Sequence, residues 1–239
     1  MTSEEMLARL LYRDGLMLVV NKPAGLPVHR GPKGGDALED YFDALRFGLP
    51  RPPALAHRLD RDTTGCLILG RHRKALALLG KLFKQGNVGK CYWAVVAGGP
   101  GTDEGRIDIP LAKRDDTRGW WMKADSRGLP SASTWKVLGR GPDMTWLALE
   151  PLTGRTHQLR VHCAEMGWPI IGDTIYGRAP RAGGLSFHLH SREVTVPISK
   201  NKAPVKVAAP VPESMLEKLL ACGWKGAGDE IGTFSKAAL

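Results

Sequence analysis

The chain has 239 residues, enough to bury a sizeable core as one large domain or two small ones. Its 43% hydrophobic and 24% charged residues are ordinary globular values. The 34 Lys and Arg against 24 Asp and Glu give a net charge of +10 and a pI near 9.6, an excess that suits a polyanionic partner such as nucleic acid.

Cys66, Cys91, Cys163 and Cys222 form no C-x-x-C pair, which argues against a zinc ribbon or a thioredoxin-like motif. Cys66 and Cys91 lie in apolar runs and read as small buried hydrophobes. The opening MTSEEMLARLLYRDG carries Glu4 and Glu5 and lacks the apolar core of a signal peptide. No apolar run approaches the ~20 residues of a membrane span. The expected compartment is the cytoplasm, with no membrane partner.

In chain order, residues 3–12 read as a short helix opened by Ser3, and 16–20 (LMLVV) as a buried strand. NKPAGLPVHRGPKGG follows as a Pro/Gly-rich loop. Asp36 is expected to cap a helix in a capping box with Glu39. Leu38, Tyr41, Phe42 and Leu45 would form its apolar stripe, and Gly48 would end it. Cys66–Leu69 reads as a strand. Residues 72–85 read as a basic amphipathic helix with Ala75, Leu76, Leu79, Leu82 and Phe83 inward. Its cations are either a solvated face or one wall of an RNA groove.

KCYWAVVAG (90–98) reads as a strand, and further strand-like pieces fall at 106–111, 132–139, 144–150, 185–189, 192–198 and 203–208. TGRTHQLRVHCAEMG reads as a loop entering a helix that Gly167 caps. A last helix, 212–222, opens with Pro212 near N1 and ends at Gly223. Few dispersed helices among many strands argue for an α+β fold with a mixed or antiparallel sheet. The expected organisation is one domain over 1–224 and a flexible tail over 225–239.

LAHRLDRDTTGCLILGR, residues 55–71, concentrates charge directly before an apolar run. Asp60-x-Asp62-x-Thr64-Gly65 resembles the start of a calcium loop, but position 12 is Arg71 where a bidentate Glu is needed. The same residues resemble the nucleophile motif of Mg²⁺-dependent aspartyl phosphatases. That motif should follow an apolar strand and be completed by a later GDxxxD. AHRL is no such strand, and GDTIYG (172–177) ends in Gly177. A third reading takes Asp60 as a lone carboxylate kept ionised by neighbouring cations, with Arg58 on its face of an extended segment. The residues alone equally admit a turn with exposed ion pairs.

HRLDRDTTG also resembles the signature of pseudouridine synthases, in the branch that modifies uridines of large-subunit ribosomal RNA and transfer RNA. LVVNKPAGLPVH (18–29) is similar to the family's first motif, KCYWA (90–94) to its Lys-x-Tyr-x-Ala strand, and TGRTHQLRVH (153–162) to its third motif. GWPIIGD (167–173), Tyr176-Gly177 and LSFHLHSREVTV (185–196) follow in family order. The resemblance spans about 14–212 and implies a single α+β catalytic domain around a long bent mixed sheet flanked by helices and loops. It implies an isomerase that needs no cofactor and no metal, acts on RNA stem-loops and works as a monomer. Asp60 resembles the catalytic aspartate, and Arg58 the arginine that fills the space left by the flipped uridine. Tyr92 matches the tyrosine beside the uracil, and Arg160 the basic residue that pairs with the catalytic carboxylate. His57, Arg155 and Thr156 are candidate substrate-binding residues within the same motifs. Trp120 and Trp121 are candidates to stack RNA bases. Arg30 stands where the family often has Pro, and the N-terminal S4 module of larger relatives is not expected. The non-enzyme alternative is an RNA-binding relative that has lost turnover.

Overall fold

The computed structural model describes residues 1–31, 34–115, 120–180, 184–199 and 201–226. Of the tail expected over 225–239, all but Lys225 and Gly226 lies outside the described residues. The fold is α+β, built on a ten-stranded mixed sheet ordered β1-β2-β4-β11-β5-β10-β9-β6, with β3 against β4 and β12 against β11. Its strands are β1 (Leu10–Arg13), β2 (Met17–Lys22), β3 (Ala54–Leu55), β4 (Thr64–Gly70), β5 (Gly89–Ala97) and β6 (Glu104–Asp108), continuing with β9 (Ala132–Gly141), β10 (Met144–Pro151), β11 (Leu189–Val196) and β12 (Val205–Ala208). A separate hairpin pairs β7 (Leu111–Lys113) with β8 (Met122–Ala124). β4 and β11 pair in parallel, and the other described pairs are antiparallel.

Period-two alternation divides the side chains between two faces. Leu18 and Val20 of β2, Leu67 and Leu69 of β4, and Tyr92, Ala94 and Val96 of β5 share one apolar cluster. The same cluster takes Leu159 and Cys163 from α3 (Gln158–Glu165), Leu38, Phe42 and Leu45 from a 3₁₀ helix (Leu38–Leu45), and Met6 from α1 (Ser3–Ala8). Met17, Val19, Cys66 and Ile68 face the other way, onto Leu79 and Leu82 of α2 (Arg73–Lys84). Cys91, Trp93, Val95, Trp146 and Ala148 meet Met215 and Leu219 of α4 (Glu213–Ala221). Each such fully buried side chain contributes roughly 1.5–3 kcal/mol of transfer free energy. Gly139 lets α4 close on β9, because a Cβ there would lie 1.9 Å from the Cys222 carbonyl oxygen.

Several boundaries differ from the sequence reading. The helix expected over 3–12 stops at Ala8, because Leu10–Arg13 pair with β2 as an edge strand. The segment after Asp36 is a 3₁₀ helix with Ala37 at its N-cap. Asp40, not Glu39, accepts the Ala37 amide (2.9 Å), while Glu39 turns to His29 (2.7 Å). Pro212 is the N-cap of α4 rather than its first residue. Met166 is the C-cap of α3, and Gly167 follows it with φ +85°. The pieces at 185–189 and 192–198 meet in one strand, β11, of Leu189–Val196, and 185–188 and 197–198 lie outside it. The piece at 106–111 is broken at Ile109–Pro110 into β6 and β7.

Strand β11 sets the geometry of the candidate site. His190 and Ser191 pair with Thr64 and Gly65 of β4, and Glu193 to Val196 pair with β12 instead. The sheet therefore branches just past Gly65, and the turn bearing Asp60 enters β4 on the other side of that pairing. Gly65 makes the close approach possible. Its φ is +103°, and a Cβ would stand 2.2 Å from the Ser191 carbonyl oxygen.

Candidate active site

The turn before β4 is tied from below by a lysine. Lys22, fully buried at the end of β2, donates to the carbonyls of Pro23 (2.7 Å), Arg61 (2.7 Å) and Thr63 (3.0 Å). Three carbonyls need three N–H donors, which only the ammonium supplies. Burial pushes the Lys22 pKa down to about 7, against the pull of Asp62 and Asp60. The cationic amine thus fixes the backbone on both sides of Asp62 and directly after Asp60. Arg61 clamps the same turn by donating to the Gly25 carbonyl (2.9 Å).

Beside the turn, α3 supplies the charge partner. Its first turn is locked by Gln158, which accepts from the Thr153 hydroxyl (2.7 Å) and the Arg155 amide (3.0 Å). Gln158 also donates to the Ala132 carbonyl (2.8 Å) and the Ser133 hydroxyl (2.9 Å). Two residues on, Arg160 grips Asp173 with two parallel bonds, Nε to Oδ2 and Nη2 to Oδ1, both 2.8 Å. Its remaining Nη1 reaches Asp60 Oδ2 at 3.4 Å. Asp173 also accepts the Ile175 (2.9 Å) and Tyr176 (3.0 Å) amides. Burial alone would raise the Asp173 carboxyl, but the Arg160 and amide bonds outweigh it and hold the pKa below the usual range. Burial likewise opposes the Arg160 charge, and the two carboxylates more than offset it, raising its pKa.

His157 faces Asp60 from a left-handed backbone (φ 52°, ψ 18°) at the N-cap of α3. Its Nε2 lies 3.6 Å from Asp60 Oδ2, and its Nδ1 lies 2.8 Å from the Tyr176 hydroxyl. That hydroxyl accepts the Met122 amide of β8 (2.8 Å) and is free to donate to Nδ1. This arrangement places the ring proton on Nε2, facing the carboxylate. Desolvation holds His157 below its ordinary pKa, so the ring is neutral. Asp60 keeps an open side, its side chain 19% exposed against 1% for Asp173.

Tyr92 stands opposite Ser191 of β11, within the apolar cluster that also holds Leu159 of α3. Burial, with Asp60 adding to it, pushes the phenol well above its ordinary pKa, so it is a proton donor and a ring surface rather than a base. Arg58 is exposed, and its guanidinium makes no hydrogen bond or ion pair to a described residue. It stands at a cleft of about 590 Å³ lined also by His29, Phe42, Pro52, Pro53 and His57. His57 lies outside the Asp60 cluster. Its Nε2 accepts the Ile68 amide (3.0 Å), its ring packs on Phe83 (4.9 Å), and burial lowers its pKa to about 3. Arg155 donates to the Pro130 carbonyl (3.1 Å), and Thr156 is exposed in the turn before α3. Trp121 is buried and Trp120 is exposed.

Asp60 precedes β4, whereas an aspartyl phosphatase places its nucleophile after a strand. The neighbours of Asp60 are a guanidinium and an imidazole.

A family profile described as RNA pseudouridylate synthase matches residues 16–165, which include Asp60, Tyr92 and Arg160. The chain belongs to the RNA pseudouridylate synthase family. It is an isomerase acting on uridines in RNA. An uncharacterised RNA pseudouridine synthase of Zymomonas mobilis is 41% identical over 213 residues, covering 87% of this chain and 96% of the relative. Ribosomal large subunit pseudouridine synthase C of Vibrio vulnificus is 34% identical over 220 residues, covering 88% and 68%. The solved structure of human RNA pseudouridylate synthase domain containing 4 superposes with a TM-score of 0.77 at 27% identity, covering 92% of this chain and 95% of that one.

The structure of the synthase adds residues that sequence reading left out. Arg160 was expected to pair with Asp60, yet its short bonds go to Asp173. The signal was present in GDTIYG, where the acid follows a glycine of φ +80° packed against the Ser186 carbonyl. His157 and Tyr176 lie inside the TGRTHQLRVH and Tyr176-Gly177 motifs, but the sequence reading assigned neither a role at Asp60. His162, five residues on, is structural, hydrogen-bonded to Ser131 (3.0 Å) and Ser133 (3.1 Å).

Proposed function

We propose that the synthase isomerises a uridine in a transfer-RNA or ribosomal-RNA stem-loop, with Asp60 as its essential carboxylate. The observation that carries this reading is the division of one guanidinium between two acids. Asp173 is closed on every side, while Asp60 has two long contacts, to Arg160 and His157, and an open face. An ionised carboxylate held by a cation and still open to substrate suits attack on the flipped nucleotide, or stabilisation of the charge that develops on it.

The reaction breaks N1–C1′, turns the uracil, forms C5–C1′ and releases the C5 proton. No electron, phosphate or acyl group enters or leaves, so this chemistry calls for neither cofactor nor metal. The target base is stacked in RNA and is extruded first. Arg58, unpaired and two residues from Asp60, fills the space it leaves. Tyr92 packs against the uracil with its hydroxyl protonated. Arg155 and Thr156 offer donors to the RNA backbone in the turn before α3, and His57 supports the strand from beneath. The catalytic unit spans 1–224 and acts as a monomer. The name of the Vibrio relative favours a site in the large ribosomal subunit.

The test is tritium release from RNA labelled at uridine C5, using unmodified ribosomal and transfer RNA in parallel. Wild type should release tritium from at least one RNA, and Asp60→Asn should bind that RNA and release none. Turnover by Asp60→Asn would refute the assignment. Binding by wild type without release would point to an RNA-binding relative.

A further inference from the structure

Trp120 is the structure's unexplained aromatic. It is 56% exposed, while Trp93, Trp121, Trp135, Trp146 and Trp168 are each 9% exposed or less. Trp224 is half-buried against Trp93 (ring centroids 6.3 Å apart). A large ring left in water contributes little to folding. Yet this one is held in place. Its centroid is 5.4 Å from the Trp121 ring at 77° and 5.6 Å from the His157 ring at 81°. Both contacts are perpendicular, so neither neighbour takes the parallel stacking position that a nucleobase would occupy.

Its location is equally specific. His157 is the imidazole whose Nε2 lies 3.6 Å from Asp60. Two residues after Trp120, the Met122 amide donates to the Tyr176 hydroxyl, which contacts the same imidazole. Between them, the Trp121 carbonyl accepts the Arg114 amide (2.8 Å) and closes the hairpin. Trp120 is thus referenced to Asp60 through its own ring and through its backbone. The surroundings are cationic: Lys113, Arg114 and Lys123 are exposed on the same hairpin, and the chain carries +10 overall. Exposed aromatic rings among cations are the general means of holding unstacked bases of single-stranded RNA.

We propose that Trp120 is the stacking platform for the base of a nucleotide flanking the flipped uridine, carried to the edge of the site by the β7–β8 hairpin. The inference rests on the reading of Asp60 as the centre of uridine isomerisation. Extruding a uridine unstacks its neighbour, and an aromatic surface one nucleotide away replaces the lost stack. The platform tolerates any base, so it adds affinity without adding sequence selectivity.

The test compares a nine-nucleotide oligouridine with an abasic ribose-phosphate chain of the same length, each carrying a 5′ fluorophore, at one salt concentration, by fluorescence anisotropy, with tryptophan emission followed alongside in wild type. Oligouridine should quench the exposed Trp120 emission in wild type, and the abasic chain should not. Trp120→Ala should bind oligouridine about 5- to 100-fold more weakly and bind the abasic chain unchanged. Trp120→Phe should recover most of that loss, and unaltered melting of both variants would show that folding is intact. On the RNA that supports tritium release, Trp120→Ala should raise KM with kcat within twofold. Equal weakening toward both chains, no weakening, or Phe no better than Ala would overturn the proposal. Absence of tritium release by wild type would instead refute the functional reading, and the two binding titrations would still decide the stacking role.

Discussion

Two carboxylates share Arg160, and exchanging each for its amide should have opposite consequences. Asp173 and Arg160 are 1% and 8% exposed in their side chains. Removing one charge of such a buried pair typically costs about 3–5 kcal/mol, because the other is left uncompensated. Asn at 173 keeps an oxygen for the Ile175 and Tyr176 amides, and Asp60 at 3.4 Å still offers Arg160 a counter-charge. The expected loss is therefore at the lower end, about 3 kcal/mol, or roughly 6–12 °C in Tm for a chain of this size. Asp60→Asn breaks a longer, half-open pair and should lose under about 1 kcal/mol while abolishing turnover. The pH dependence follows from the lowered Asp173 pKa. Its stabilisation is fully present above the unfolded carboxylate value near 3.8 and is lost as pH falls through the lower folded value. Thermal melts of wild type and Asp173→Asn should converge below pH 4. Melting of Asp173→Asn within 2 °C of wild type at pH 7, or a larger stability loss from Asp60→Asn, would refute the division of roles.

Other perturbations probe the frame around Asp60. Gly65→Ala places a methyl 2.2 Å from the Ser191 carbonyl oxygen at a φ of +103°, so the β4–β11 pairing should fail and chemical denaturation should register a loss of 3 kcal/mol or more; near-wild-type stability would contradict the branch geometry. Lys22 has a folded pKa of about 7 against an ordinary 10.5, so the unfolded chain binds more protons between these values and stability should rise with pH there by up to about 1.4 kcal/mol per unit. The rise should vanish in Lys22→Met between pH 7 and 8.5, and an identical pH slope in both proteins would refute it. Tyr176→Phe removes the hydroxyl between the Met122 amide and His157, and should lower kcat about tenfold with KM within twofold, whereas an unchanged kcat would remove this link from the positioning of Asp60.

The central strands were legible because LMLVV and CLIL are short continuous apolar runs, and the structure buries both of their faces. Leu18 and Val20 against Met17 and Val19, and Leu67 and Leu69 against Cys66 and Ile68, divide by face as period two requires. The short pieces escaped detection for physical reasons. β1 is helical in local pattern and becomes a strand only through pairing with β2, and β8 is three residues long. At the site, Asp60, Tyr92 and Arg160 could be named because the motifs carry them, but what makes them a site is tertiary. Lys22 in NKP looks like a surface lysine, and only the fold buries it under the Asp60 turn. Asp173 becomes the main anchor of Arg160 because the segment after α3 returns to the helix, where Ile171 pairs with Val95 and His188. These buried partners answer why the chain concentrates charge before β4. The turn leaves Asp62 in solvent and Asp60 half-open, and the cations that fix the turn around Asp60 come from β2 beneath and α3 beside it. An isolated turn of the same sequence would have only its own arginines, in water, where such pairs are worth little. The reactivity assigned to Asp60 therefore depends on the tertiary frame, in which Lys22 ties the backbone of the turn while Arg160 and His157 approach the carboxylate and leave a face of it open.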